Sequence, residues 1–440
     1  MSSNDTAPWV ADFLGETIHN GQYRLVDVLG EGAYGVVFRA IDEYSATSSS
    51  SPEPKQYAIK IMEKADPGTR RWQYQQREVT AHLRVSDHPN IVTVHDILEC
   101  PYFIYIVLDY CVGGDLFEPM LEQMAYCRND VLLKSIFLQL VDAVQYCHDH
   151  GIYHRDLKPD NILSNEDGSV VKVADFGLST TAKVSDTFGC GSSNYMSPEC
   201  IGEDYDYHPY STEASDVWSL GVILTNLVAG RNPWEHAVTS DKNYLKFLTQ
   251  PDHLREMLPI SQATADILYA IFTSDPAVRI TLPKLREQIL AVDTFFMSAE
   301  EIARGNDYVK LAAATYSPLT EERPQPVCPH PTAVGQVFDE VLKQRSLPPS
   351  ATFVQPPLFV ICSSSGISSS SESESSSSSS EESEGPITPE THAQDPAKLA
   401  EVPEFGEGEK IGTAMLPDVQ KGRSLPMFTT NVPLAIAVVQ

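Results

Sequence analysis

His154-Arg155-Asp156-Leu157-Lys158-Pro159-Asp160-Asn161, followed nineteen positions after Asp156 by Asp175-Phe176-Gly177, is the stretch on which the reading of this 440-residue chain turns. Together the two segments offer a carboxylate that can accept a proton, a lysine that can clamp developing negative charge, and two oxygen ligands for a divalent cation. A lone Asp-Phe-Gly carries little information. The eight-residue stretch carries more, because it says where the rest of a phosphoryl-transfer machinery must lie.

Phosphate oxygens need a backbone they can approach closely, so glycines should punctuate a strand-turn-strand upstream. Gly30-Glu31-Gly32-Ala33-Tyr34-Gly35-Val36-Val37 follows the apolar alternation of Tyr23-Arg24-Leu25-Val26-Asp27-Val28-Leu29 and runs on through Phe38-Arg39-Ala40 as a second strand. A dinucleotide-binding fingerprint with the same glycines would open a helix instead, so the context points to a nucleotide lid. Tyr57-Ala58-Ile59-Lys60-Ile61 places Lys60 where alternation turns it toward the cleft, to meet the alpha and beta phosphates. Arg77-Glu78-Val79-Thr80-Ala81-His82-Leu83 reads as a helix and puts Glu78 eighteen residues after Lys60, suited to pair with it. Taken singly, an exposed strand lysine and a solvated helix glutamate are the plain readings. The order and separation of all four motifs make coincidence improbable.

Residues from about Tyr23 to about Leu290 thus resemble a complete eukaryotic-type protein kinase domain, and Lys158, two positions after Asp156, is similar to the Ser/Thr rather than the Tyr branch. The resemblance implies an α+β, two-lobed protein kinase fold. Its N-lobe, an antiparallel sheet plus one main helix, would span about 21–108 and its mostly helical C-lobe about 112–292. An N-terminal extension (1–20) and a largely disordered Pro/Ser/Glu-rich tail (293–440) would flank them. It also implies a Ser/Thr protein kinase that transfers the gamma-phosphoryl group of ATP to protein substrates. Asp156 would accept the proton of the substrate hydroxyl, Lys158 would contact the gamma phosphate, and Lys60 would fix the nucleotide tail. Asn161 and Asp175 would hold magnesium ions, with manganese as an alternative. The implied nucleotide pocket comprises Leu29, Gly30, Glu31, Gly32 and Gly35 of the lid, with Val37, Ala58 and Leu163 about the adenine. Leu108, Asp109 and Cys111 would form the interlobe strand, and Asp115 would lie near the ribose. A pseudokinase-like scaffold on the same fold is the alternative, and no chemical part is missing that would favour it.

The far half keeps the resemblance. Met196-Ser197-Pro198-Glu199 stands where the family has Ala-Pro-Glu, which implies a buried pair between Glu199 and Arg279; Asp216 would anchor the backbone of the catalytic loop, and Ser192 would contact Asp156 and Lys158. Arg155, preceding the catalytic aspartate, can order the segment from Asp175 to Glu199 through a phosphate, with Thr187 and Ser185 as candidates. Against this, the Thr187–Ser192 stretch reads as one residue longer than usual and Thr180 stands where many phosphorylation-dependent kinases carry a second base, so constitutive activity stays open. His82, one turn after Glu78, reads as a satisfied core histidine in preference to a proton switch. The segment Phe188 to Cys200 resembles a fungal branch of Ser/Thr kinases linked to nutrient response and restraint of sexual differentiation.

Of the formal charge of −29, the 20 acids and 9 bases beyond residue 290 account for −11, leaving −18 in the front part. Binding to nucleic acid or to an anionic membrane is therefore disfavoured. Asp115 and Asp160 resemble positions that favour basic residues upstream of the target hydroxyl. The run from Ser363 to Glu384 is almost entirely Ser, Glu and Gly, too polar to offset the entropy of ordering; it reads as a solvating spacer, or as a target for acid-directed kinases or regulators. Ser45–Pro54 reads as a surface insertion between strands. Eight cysteines without Cys-x-x-Cys clustering, no charged-then-apolar start and no apolar run of about twenty residues lead to the expectation of a soluble protein with reduced thiols, in cytoplasm or nucleus.

Overall fold

The computed structural model describes residues 10–32, 35–45 and 53–316. Helix α1 (Val10–Phe13) and strand β1 (Thr17–Ile18) lead into β2 (Tyr23–Gly32), β3 (Gly35–Asp42) and β4 (Gln56–Glu63). Helix α2 (Arg70–Val85) then precedes β5 (Val94–Glu99) and β6 (Phe103–Asp109). The strands make one antiparallel sheet in the order β1-β2-β3-β4-β6-β5. Strand alternation divides its residues between two faces. Val36, Phe38 and Ala40 of β3 join Ile59 and Ile61 of β4 in one apolar cluster. Met62, Ile104 and Ile106 form a second, with Val79 of α2 packed against it.

Helix α2 is mostly polar and is fixed by one face. Thr69 caps it by accepting from the Trp72 amide, and Gln75, Glu78, Ala81, His82 and Val85 are buried at helical spacing. Gln75 also clips the end of β4, donating to the Glu63 carbonyl at 2.7 Å and accepting from the Ala65 amide at 3.1 Å. The helix is thereby tied to the strand that carries Lys60.

The second lobe is built on α3 (Asp130–Asp149), followed by the hairpin β7 (Ile162–Ser164) and β8 (Val171–Val173). Next come β9 (Val184–Ser185), α4 (Pro198–Ile201), β10 (Tyr210–Ser211) and α5 (Thr212–Ala229). Helices α6 (Lys242–Thr249), α7 (His253–Met257), α8 (Gln262–Ile271), α9 (Leu282–Ala291), α10 (Ala299–Arg304) and α11 (Asp307–Tyr316) complete it. Helix α5 is buried along almost its whole length, its apolar residues interspersed with buried polar ones such as Asp216 and Asn226.

The two-lobed expectation holds, with two corrections to its extent. The extension before residue 21 is not merely appended: Val10 is buried in the first sheet cluster and Phe13 packs edge-on against Phe103 at 5.2 Å. The boundary at 292 also falls short. Phe295, Phe296 and Tyr316 belong to the main C-lobe core, and the Tyr316 hydroxyl donates to the carbonyls of Met120 and Leu227. Tyr316 lies flat against Gly230, the left-handed cap of α5, where an added Cβ would come within 2.2 Å of its ring. The tail beyond residue 316 and most of the Ser45–Pro54 insertion lie outside the described residues.

Candidate active site

Strand register sets the roof of the cleft. Val37 pairs with Gly30 across β2–β3 and with Lys60 across β3–β4, and Ala58 pairs with Leu108 across β4–β6. Lid, lysine and interlobe strand are thus aligned side by side, with the tip residues 33 and 34 outside the described set. Lys60 donates to Glu78 Oε1 at 2.5 Å and to Asp175 Oδ1 at 3.3 Å. Burial disfavours the charge on Lys60, but the carboxylates of Asp175 and Glu78 outweigh it and hold the ammonium above the usual lysine range. Lys60 in turn holds the Asp175 carboxyl at about 2, and 49% of that side chain is open to solvent.

Below it, the loop after α3 is bent by its own backbone. Arg155 and Asp175 have φ of 65° and 58°, a conformation that non-glycine residues hold only where the surroundings enforce it. Asp216 does much of the enforcing. Its carboxylate accepts from the amides of His154 and Arg155 and from His148 Nε2, each at 2.8 Å. Burial alone would push this carboxyl up; the hydrogen bonds outweigh it and bring it below the usual range.

Asp156 is the centre of a tight polar group. Its Oδ1 accepts from the Ser192 amide at 2.8 Å and hydroxyl at 2.9 Å, while Asn161 Nδ2 lies 3.1 Å and Lys158 Nζ 3.3 Å from Oδ2. Lys158 also donates to the Ser192 hydroxyl at 2.8 Å. Gly191 lets this approach happen: at φ 112° its Cα lies so close that an added Cβ would fall 2.4 Å from the Arg155 carbonyl. Asn161 spends its amide nitrogen on Asp156, its carbonyl included at 2.7 Å, which leaves Oδ1 available. The Asn161 and Asp175 oxygens are hard ligands of the kind magnesium takes, few enough to leave most positions for water and phosphate. They fit that ion.

At the interlobe strand, Asp109 is locked by Lys172 at 2.6 Å and His95 at 2.7 Å; against its burial the hydrogen bonds from Lys172, His95 and the Thr93 amide, with the Lys172 charge, hold its carboxyl at about 2. Only its backbone can then serve a base. The Cys111 amide has no hydrogen-bond partner among the described residues. Asp115 caps the Phe117 amide at 2.9 Å and is bridged to Leu163 of β7. The structural pair also forms: Arg279 grips Glu199 with two bonds of 2.6 and 2.9 Å, both residues buried.

The regulatory expectations fare differently. Arg155 donates to the Leu178 carbonyl at 2.8 Å and reaches Ser185 Oγ at 3.5 Å; no bond joins it to Thr187, which is held instead through its amide to Ser185 and its carbonyl to Tyr210. Thr180 is paired with Tyr153 through two backbone bonds of 2.8 Å, and β9 pairs with β10. Phe188 closes the segment against Tyr207, Tyr210 and Cys200. These contacts run along the segment from Leu178 to Tyr210. Sequence reasoning did not find His148, Lys172 or His95, since nothing local marks a residue whose partner lies 14 to 68 positions away.

His82 is the core histidine expected. Its Nε2 lies 2.6 Å from the Val92 carbonyl and its ring 4.8 Å from Phe176, which has His154 at 5.0 Å on another side. Burial drops its pKa from 6.5 to about 4. The unfolded chain therefore takes up this proton first as pH falls. The effect on stability is nil above about pH 6.5 and grows toward pH 4, to a loss of about 3 kcal/mol. Urea denaturation of His82→Leu should show a flatter pH dependence than wild type across that window; parallel curves would refute the assignment.

A small sheet and one helix over a helical lobe, with a Lys-Glu pair above an Asp-Lys-Ser group, define the protein kinase class. The chain belongs to that family: the protein kinase domain profile matches residues 23–291. Among its relatives is the fungal "Negative regulator of sexual conjugation and meiosis" of Schizosaccharomyces pombe, 43% identical over 281 residues, covering 60% of this chain and 58% of that protein. The serine/threonine-protein kinase VHS1 of Saccharomyces cerevisiae is 32% identical over 337 residues (62% and 70%), and ksp1 of S. pombe 36% over 303 residues (65% and 62%). The fungal branch expected from the Phe188–Cys200 segment is thus borne out. The chain spans 58% to 70% of the length of these relatives.

Proposed function

We propose that the chain is an ATP-dependent Ser/Thr protein kinase, with Asp156, Lys158 and Lys60 as its working residues. The observation that carries this reading is the Asp156–Ser192–Lys158 group set below the Glu78–Lys60–Asp175 chain of charges. Asp156 orients the substrate hydroxyl and takes its proton. Lys158 and Lys60 offset charge on the phosphates, and Asn161 and Asp175 hold the magnesium that neutralises the rest. Lid residues Leu29 to Gly32 and Gly35, with Val37, Ala58, Leu108 and Leu163, enclose the base, and backbone groups of Asp109 and Cys111 bond its edge. No covalent enzyme intermediate is needed.

Substrates are proteins with basic residues upstream of the acceptor. Asp115 and Asp160 support this, since burial raises both carboxyls, with Asp160 adding repulsion at Asp115 and Asp156 adding it at Asp160, a penalty that an incoming cation relieves. The test is transfer from labelled magnesium–ATP to a basic Ser/Thr peptide by the purified chain. Lys60→Met is expected to lose about 10²–10³ in kcat/KM. Transfer that is absent, or unchanged in Lys60→Met and Asp156→Asn alike, would defeat the reading.

A further inference from the structure

Two stretches beyond the described residues repeat one another. Lys343-Gln344-Arg345-Ser346-Leu347-Pro348 and Lys421-Gly422-Arg423-Ser424-Leu425-Pro426 agree at five of six positions. They contain four of the seven Lys and Arg that follow Tyr316, against sixteen Asp and Glu in the same region. In so acidic a background, two bases placed identically about one hydroxyl are a feature that composition does not produce.

We propose that Ser346 and Ser424 are acceptors for this chain's own active site, an inference that rests on the kinase reading above. Asp160 follows Asp156 by four positions, Asp115 is bridged to the hairpin that continues the same loop, and Glu118 lies one turn further. Among the described residues none of these three carboxylates forms an ion pair. Bases three and one positions before the acceptor would supply the missing cations at the rim. The leucine after the acceptor suits the apolar cluster of Phe188, Met196 and Ile201 that flanks Ser192 in sequence.

The described chain ends in a place that favours this. Tyr316 is held to the Met120 carbonyl at 3.3 Å, and its own carbonyl accepts from Cys127 Sγ at 2.8 Å, so the tail departs beside the segment that carries Asp115 and Glu118. Thirty positions separate Tyr316 from Ser346. A chain of that length reaches at most about 100 Å, so the tether does not forbid the encounter.

In the step itself, the seryl oxygen bonds to the gamma phosphorus of ATP and the bond from that phosphorus to the beta-gamma bridging oxygen breaks. ADP leaves with the electron pair, and the hydroxyl proton passes to Asp156. The serines between Ser363 and Glu384, flanked by acids, serve as an internal control, because the same rim repels them.

The full chain, treated with phosphatase and then given magnesium–ATP, should be analysed by phosphopeptide mass spectrometry with histone as a separate acceptor. Label is expected at Ser346 and Ser424 at least about tenfold faster than in the 363–384 run, and absent from Asp156→Asn. Peptides spanning 340–350 should lose at least about tenfold in kcat/KM when Lys343 and Arg345 are replaced by Ala. Transfer to histone without label at either serine overturns the inference and leaves the kinase reading standing. So does equal use of the Ala peptide. No transfer to any acceptor overturns both.

Discussion

Asp156→Asn is expected to lower kcat by about 10²–10⁴ while the affinity for magnesium–ATP stays near that of the wild type. The substitution keeps the shape of the side chain and removes the proposed proton acceptor. It also turns one acceptor oxygen into a donor among donors. Ser192 presents its amide and hydroxyl to Oδ1, and Asn161 and Lys158 face Oδ2 at 3.1 and 3.3 Å. Whichever edge the new amide takes, a bond is lost, and Lys158 loses the carboxylate that positions it. Steady-state kinetics paired with calorimetric nucleotide titration separates the effects. A kcat within a factor of three of wild type would remove Asp156 from the mechanism.

Arg279→Ala should cost about 3–5 kcal/mol of C-lobe stability, the penalty for stranding one partner of a buried ion pair. Glu199 is then left buried and charged. Arg279 additionally donates to the carbonyls of Thr273 and Ala214, and its guanidinium sits 4.9 Å from the Trp218 ring centre, so three further contacts go with it. The double variant Glu199→Leu/Arg279→Met should recover most of the loss, since two apolar groups of similar volume leave no unpaired charge. Urea denaturation of both variants checks this. A single-variant loss below about 1 kcal/mol would mean the pair is not buried in solution.

The site was more legible than the limits of the fold. Asp156, Lys158, Asn161 and Asp175 are written in short motifs because the proposed transfer chemistry fixes residue type and spacing together, and Lys60 and Glu78 could be found by asking what such a loop requires. Glu199 and Arg279 came by resemblance, and their bidentate bond bears that out. Arg155 was harder. Its neighbours Leu178 and Ser185 are chosen by the course of a segment that turns on Phe188 and on two-residue strands, and neither has a sequence period long enough to read. Helices α1, α10 and α11 escaped for a similar reason. One or two turns with a few apolar residues look like any linker until Phe13 or Tyr316 is seen against its partner.

Tyr316 also tells an experimentalist where this protein can be divided. A fragment cut at the end of the family match would lose α10 and α11, stripping cover from Gly230, Met120 and Leu227 and leaving an apolar scar on the second lobe. A fragment that keeps the Val10, Phe13 and Tyr316 contacts runs from Val10 to Tyr316. Aggregation of a shorter one would say nothing about the enzyme.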